Sequence, residues 1–100
     1  MNPEVDFLAA ARKEYFEAVC YYSDRSEGVG LRFIEAIEAT LARIADDPKR
    51  YPVRDGLRRC VLTKFPYNIH YRILDTGPQV VAVAHQKREP GYWLSRIEGN

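Results

Sequence analysis

Phe65-Pro66-Tyr67-Asn68-Ile69-His70-Tyr71-Arg72-Ile73-Leu74 is the stretch that decides the fold. From Tyr67 onward apolar and polar residues alternate: Tyr67, Ile69, Tyr71 and Ile73 against Asn68, His70 and Arg72. A period of two places the first set on one face of a strand and the second on the other. Pro66 offers no ladder donor, so it separates this strand from another at residues 57–63. Downstream, Asp75-Thr76-Gly77-Pro78 is a turn cluster. Residues 80–84, Val-Val-Ala-Val-Ala, are apolar on both faces, as an interior strand requires. Short connections between consecutive strands imply an antiparallel meander.

Upstream, the period changes. Leu8, Ala11, Tyr15, Ala18 and Tyr22 recur at spacings of three and four, which predicts a helix to about Ser23. Residues 23–30 read as a loop, with Gly28 and Gly30 as breakers. Phe33, Ile34, Ile37, Leu41 and Ile44 form the stripe of a second helix, which Asp46-Asp47-Pro48 ends, because the residue before proline avoids the α region. Residues 5–7 read as a short first strand, and residues 51–53 begin a linking segment. Past the last strand, Glu89-Pro90-Gly91-Tyr92 fits a type II turn, and residues 93–97 a short helical turn or coil. The order is β-α-α-β-β-β. The expected fold is α+β, with an N-terminal helical hairpin packed on a three- to four-stranded antiparallel sheet.

One hundred residues hold a single domain, residues 1–100. With 46% hydrophobic and 29% charged residues, the composition is that of a folded chain and excludes disorder. No apolar run approaches the roughly 20 residues of a membrane-spanning helix, so no membrane partner is expected. Asp6, Arg12 and Lys13 interrupt any apolar leader, and a cytoplasmic protein is expected. Cys20 and Cys60 lack metal-ligand spacing and read as reduced thiols, although spacing alone leaves room for one bridge. There is no phosphate-binding Gly-rich loop, GxSxG elbow, HExxH or paired-carboxylate pattern, so neither cofactor nor metal is expected.

Charge is divided along the chain. Residues 1–50 hold seven Lys/Arg and ten Asp/Glu, and residues 51–100 eight and four, within a net charge of +1. A basic half suggests a face for an anionic partner, either nucleic acid or an acidic protein segment. The plainer alternative is a set of solvated strand arginines. Arg58 and Arg59 must point to opposite faces of a regular strand. One suits an anion or carboxylate contact, and the other an ion pair with the acidic helices, at Glu14 or Glu17. His85, at a strand end, has a suitable ordinary pKa of about 6.5 for a base. Without a carboxylate or nucleophile pattern beside it, a structural hydrogen-bonding role is favoured. His70 reads as a strand-surface residue. Tyr22, Tyr67 and Tyr71 are expected in the core, and Trp93 is expected to anchor the tail on the sheet.

An ordered set of short blocks carries a resemblance over nearly the whole chain. These are Ala18 with Tyr21-Tyr22, Phe33, Pro48, Arg58-Arg59, Phe65-Pro66-Tyr67 leading into Ile69-His70-Tyr71-Arg72-Ile73, and the tail from Ala84-His85-Gln86-Lys87-Arg88 to Glu89-Pro90-Gly91-Tyr92-Trp93. Together they resemble the RelE/ParE superfamily of type II toxin–antitoxin toxins, closest to the ParE-type, plasmid-stabilisation branch. The resemblance implies a toxin that arrests growth by binding its target, DNA gyrase, and that a cognate antitoxin neutralises. Arg59, Arg72, Arg88 and Tyr92 would then be the target- or antitoxin-binding surface. The alternative it implies is a RelE-like, metal-independent interferase that cuts mRNA on the ribosome. In that reading Arg59 and Arg88 meet the scissile phosphate, and His85 or Tyr92 transfers protons. The strand Leu57-Arg58-Arg59-Cys60-Val61-Leu62 lacks the lysines of RelE-type toxins, and Pro90 shortens the Arg88-to-Tyr92 spacing. Both departures weigh against cleavage. A third possibility is a non-toxic member that persists as an antitoxin partner.

Overall fold

The computed structural model describes residues 5–97. The elements in chain order are β1 (Asp6–Phe7), α1 (Ala9–Arg25), α2 (Glu27–Asp46), β2 (Val53–Arg54), β3 (Leu57–Val61), β4 (Tyr67–Leu74), β5 (Gly77–His85) and a 3-10 turn at Leu94–Arg96. The α+β architecture is the expected one, a helical hairpin on one face of a sheet. The sheet itself has five strands, one or two more than expected, in the order β1-β5-β4-β3-β2. It is mixed, because β1 runs parallel to β5 while the other pairs are antiparallel.

The core lies between the hairpin and the sheet. Ala11 and Ala18 from α1, Phe33, Ile37, Leu41 and Ile44 from α2, and Cys60, Leu62, Ile69, Tyr71, Val80 and Val83 from the sheet are all buried. The alternation in β4 therefore points as its sequence implies, with Ile69 and Tyr71 toward the helices. The Tyr71 hydroxyl donates to the Pro48 carbonyl at 2.5 Å and so ties β4 to the end of α2. Burial, foremost, pushes the Tyr71 phenol up to about 12. Tyr22 and Tyr67 are half-buried and pack in an aromatic group with Phe33 and Phe65.

Residues 23–30 are not a loop. A single extended residue, Ser26, separates the two helices. Its N–H closes α1 on the Tyr22 carbonyl, and its own carbonyl accepts from Gly30 to open α2. Gly28 and Gly30 lie inside α2. A Cβ on Gly30 would stand 2.1 Å from Ser23 Oγ and 3.0 Å from Ser23 Cα. The glycine serves close approach of the two helices, and this packing outweighs its poor helix propensity.

The linking segment after α2 contains a hairpin. Asp55 and Gly56 both have positive φ, 56° and 80°, the geometry of a two-residue turn between β2 and β3. Beyond the last strand, Gly91 has φ 83°, as the third position of a type II turn requires. No described helix is long and apolar enough to cross a membrane. Cys20 and Cys60 are both free thiols, one exposed and one buried.

A basic groove on the open face of the sheet

The helices cover one sheet face, and the candidate site lies on the other. Register pairs Arg59 with His70, and Cys60 with Ile69. Since Ile69 faces the helices, Arg59 and His70 face away from them. β5 carries an extra residue at this level, since His70 pairs with Ala82 but Tyr71 with Val80. After His85 the chain returns across the open face. The Trp93 ring stacks on His70 with centroids 3.8 Å apart and planes 23° from parallel. Between this tail and the β2–β3 hairpin runs a groove of about 740 Å³. Arg54, Arg59 and Arg88 line it against one acid, Asp55, with His70, His85, Val61 and Trp93 between them.

His70 is therefore not a surface residue. It is only 7% exposed, and its Nε2 has no hydrogen-bond partner among the described residues. Burial first, and the Arg59 charge second, lower its pKa to about 4. The ring is neutral at pH 7 and serves as the floor on which Trp93 rests.

The tail is held by a carboxylate. β1 stops at Phe7, and the Leu8 N–H makes the last bond of that lane, to the Val80 carbonyl. Side chains continue where the strand ends. Glu14 Oε1 accepts from the Val83 N–H at 3.0 Å, and Arg96 Nη1 donates to the Val81 carbonyl at 3.0 Å. Arg96 also grips Glu14 through both guanidinium nitrogens at 2.9 Å, and the Tyr92 hydroxyl donates to Glu14 Oε2 at 2.5 Å. Burial alone would raise the Glu14 pKa, but the bonds from Arg96, Tyr92 and Val83 outweigh it and hold the carboxyl below its ordinary 4.5.

Of the residues singled out in the sequence, Arg59, His85 and Arg88 share the groove. Arg72 and Tyr92 do not. Arg72 Nε donates to Gln79 Oε1 across the β4–β5 pair at 2.8 Å. Tyr92 turns toward α1. Its phenol pKa is raised by burial and by the hydrogen bond to Glu14, and Arg88 lies over its ring 4.0 Å from the centroid. His85 Nδ1 accepts from the Lys87 N–H at 3.0 Å, and its ring meets Tyr67 edge-on. Arg58 and Arg59 do point to opposite faces. Arg58, however, makes no ion pair with α1. It donates to the Lys49 and Tyr51 carbonyls, and Glu14 belongs to Arg96 instead.

The sequence offered Glu14 to Arg58 or Arg59, and its actual partner Arg96 went unnoticed, because the two lie 82 positions apart with no local pattern joining them. Arg54 was also missed, although Asp55-Gly56 is the strongest short hairpin signal in the chain and would have placed it. Among the described residues no group of three or more His, Cys, Asp or Glu side chains could hold a metal ion.

The family model for the ParE toxin of type II toxin–antitoxin systems, parDE, matches residues 5–90. No curated protein matches the chain in sequence. Among solved structures, the chain is similar to one described as the chromosomal ParDE TA system from P. aeruginosa. The TM-score is 0.71 at 13% identity, over 82% of this chain and 94% of that one. At that identity the likeness is one of fold.

Proposed function

Because the chain belongs to the family of ParE toxins of type II toxin–antitoxin systems, we propose that it arrests growth by binding DNA gyrase and that a cognate antitoxin neutralises it. Its place of action is the cytoplasm, and its role on a plasmid would be stabilisation. The observation that carries the reading is the composition of the groove. Arg59 and Arg88 stand with Trp93 and Val61 in an open, basic, partly apolar surface suited to a protein partner. The two groups offered for proton transfer are both engaged in part. Tyr92 is bound to Glu14 and turned out of the groove, and His85 Nδ1 is occupied by a backbone N–H. Proximity of Arg59, His85 and Arg88 is the one feature that favours the interferase alternative.

Induced expression in a bacterial host without antitoxin separates the two. Thymidine and amino-acid incorporation are followed in parallel. Early loss of thymidine incorporation with filamentous cells is expected. Early loss of amino-acid incorporation with cut mRNA would favour the interferase. If neither falls, the chain is not a toxin in that host.

A further inference from the structure

The tip of the β2–β3 hairpin holds the chain's one Asp-Gly bond. Of the six aspartates, five precede Phe7, Arg25, Asp47, Pro48 and Thr76, and only Asp55 precedes a glycine. A side chain on the following residue hinders attack by its backbone nitrogen, and proline has no N–H at all. Here a Cβ on Gly56 would meet nothing within 4 Å, so the space beside this nitrogen is open. Both turn residues are exposed. Among the described residues, neither the Gly56 N–H nor the Asp55 carboxylate has a hydrogen-bond or ion-pair partner.

Ring closure between the two requires the turn to leave its resting shape, and little holds it there. β2 is two residues long, both exposed, and only Val53 with Arg58 and Arg54 with Leu57 pair across the hairpin. A two-stranded hairpin is marginal by itself. Asp55 also sits at φ 56°, a region that residues with a Cβ disfavour. The ends of the segment are anchored, by Arg58 on the Tyr51 carbonyl and by the burial of Leu57. Residues 52–56 can therefore open locally without unfolding the sheet.

We propose that Asp55–Gly56 is a site of spontaneous backbone isomerisation, and that the isoaspartyl form loses the β2–β3 hairpin and takes Arg54 out of the groove. The Gly56 nitrogen attacks Cγ of the Asp55 carboxyl. The N–Cγ bond forms, the Cγ–OH bond breaks, and the proton of the nitrogen leaves with the hydroxyl as water. The product is a cyclic succinimide. Water then adds at one ring carbonyl and breaks its bond to nitrogen. Cleavage at Cγ restores aspartate. Cleavage at the main-chain carbonyl leaves the chain running through Cβ and Cγ, with a free α-carboxylate. Mass and charge are unchanged. The added backbone methylene does not fit a two-residue turn, which needs positive φ at both central residues. β2 has no other strand to pair with, so Arg54, which lines the groove from it, departs with the hairpin. The chemistry is independent of what the groove binds.

The whole chain is incubated in mildly acidic heavy-oxygen water at physiological temperature, beside a free amidated peptide of residues 50–64. Lysine-specific cleavage of the protein in ordinary water then releases the same stretch, in which Asp55 is the only side-chain carboxyl or amide. Mass spectrometry follows the uptake of heavy oxygen and the separation of aspartyl from isoaspartyl species. Methylation by a protein L-isoaspartate methyltransferase with labelled S-adenosylmethionine counts the isoaspartyl product independently. The folded chain should isomerise within tenfold of the peptide's rate. Asp55→Glu, which would need a larger ring, should leave this stretch unlabelled. In the purified isoaspartyl form, amide exchange at residues 53–58 should be at least tenfold faster, while β4 and β5 keep their protection. A folded rate more than tenfold below the peptide's would show that the turn locks the bond, and would overturn the proposal. Faster labelling at Asp75 than at Asp55 would overturn it too, as would unchanged exchange across the hairpin in the isoaspartyl form.

Discussion

Replacing Glu14 with Gln should release the tail before it unfolds the domain. Four donors converge on the two Glu14 oxygens: the Val83 N–H, the Tyr92 hydroxyl and two Arg96 nitrogens, at 2.5–3.0 Å. Glutamine keeps the shape but has one acceptor oxygen, so its NH₂ must face donors. Hydrogen bonds to a charged group contribute about 1.5–3 kcal/mol each. The Arg96 and Glu14 side chains are 20% and 14% exposed, so water weakens the pair without removing it. A net loss of about 2–3 kcal/mol follows, since losses within one network are not additive. For a domain of this size that lowers Tm by roughly 10 °C or more. Trp93 is the only tryptophan and rests on His70, so its emission reports the tail directly. In a urea titration followed by fluorescence and by far-ultraviolet circular dichroism, the variant should show a red shift of Trp93 before helix is lost. Glu14 is held below 4.5, so its contribution is present above that pH and disappears as pH falls through the native value. The gap between variant and parent should therefore close in acid. A variant with unchanged Tm and unchanged Trp93 emission would refute the latch.

Gly30→Ala should destabilise the protein by about 1–3 kcal/mol in chemical denaturation, because a Cβ there meets Ser23; a gain of about 1 kcal/mol, the propensity difference alone, would show that the helices separate freely. Trp93→Ala should raise the His70 pKa from about 4 toward 6.5, read by the pH dependence of its ring proton shifts. In the parent the unfolded chain takes up a proton at His70 before the folded one does. Stability is therefore full above about 6.5 and falls between 6.5 and 4, by up to about 3 kcal/mol. Tyr71→Phe leaves the Pro48 carbonyl without its donor and should cost about 1–2 kcal/mol by urea denaturation, with no change in growth arrest at permissive temperature.

What was legible in the sequence was what local period encodes. The alternation at Ile69 and Tyr71, the α2 stripe from Phe33 to Ile44 and the stop before Pro48 all appear as read. What was not legible depends on contacts between distant segments. Gly28 and Gly30 read as breakers by propensity, yet both lie inside α2, and at Gly30 helix packing on Ser23 decides the choice. His70 read as exposed because nothing near it in sequence reveals that Trp93 covers it. Tyr92 read as a groove residue because its partner, Glu14, lies on α1. Arg59 and Arg88, which the resemblance put on one surface, line the same groove, whereas Arg72 bonds Gln79 on the neighbouring strand.

The most direct test of gyrase binding through the groove is a supercoiling assay with purified DNA gyrase, the purified chain and its Arg59→Glu/Arg88→Glu double variant. The parent should inhibit supercoiling at near-stoichiometric ratios, and the folded double variant should lose at least tenfold in potency. Unimpaired supercoiling at a large excess of the parent, or equal inhibition by parent and variant, would contradict it.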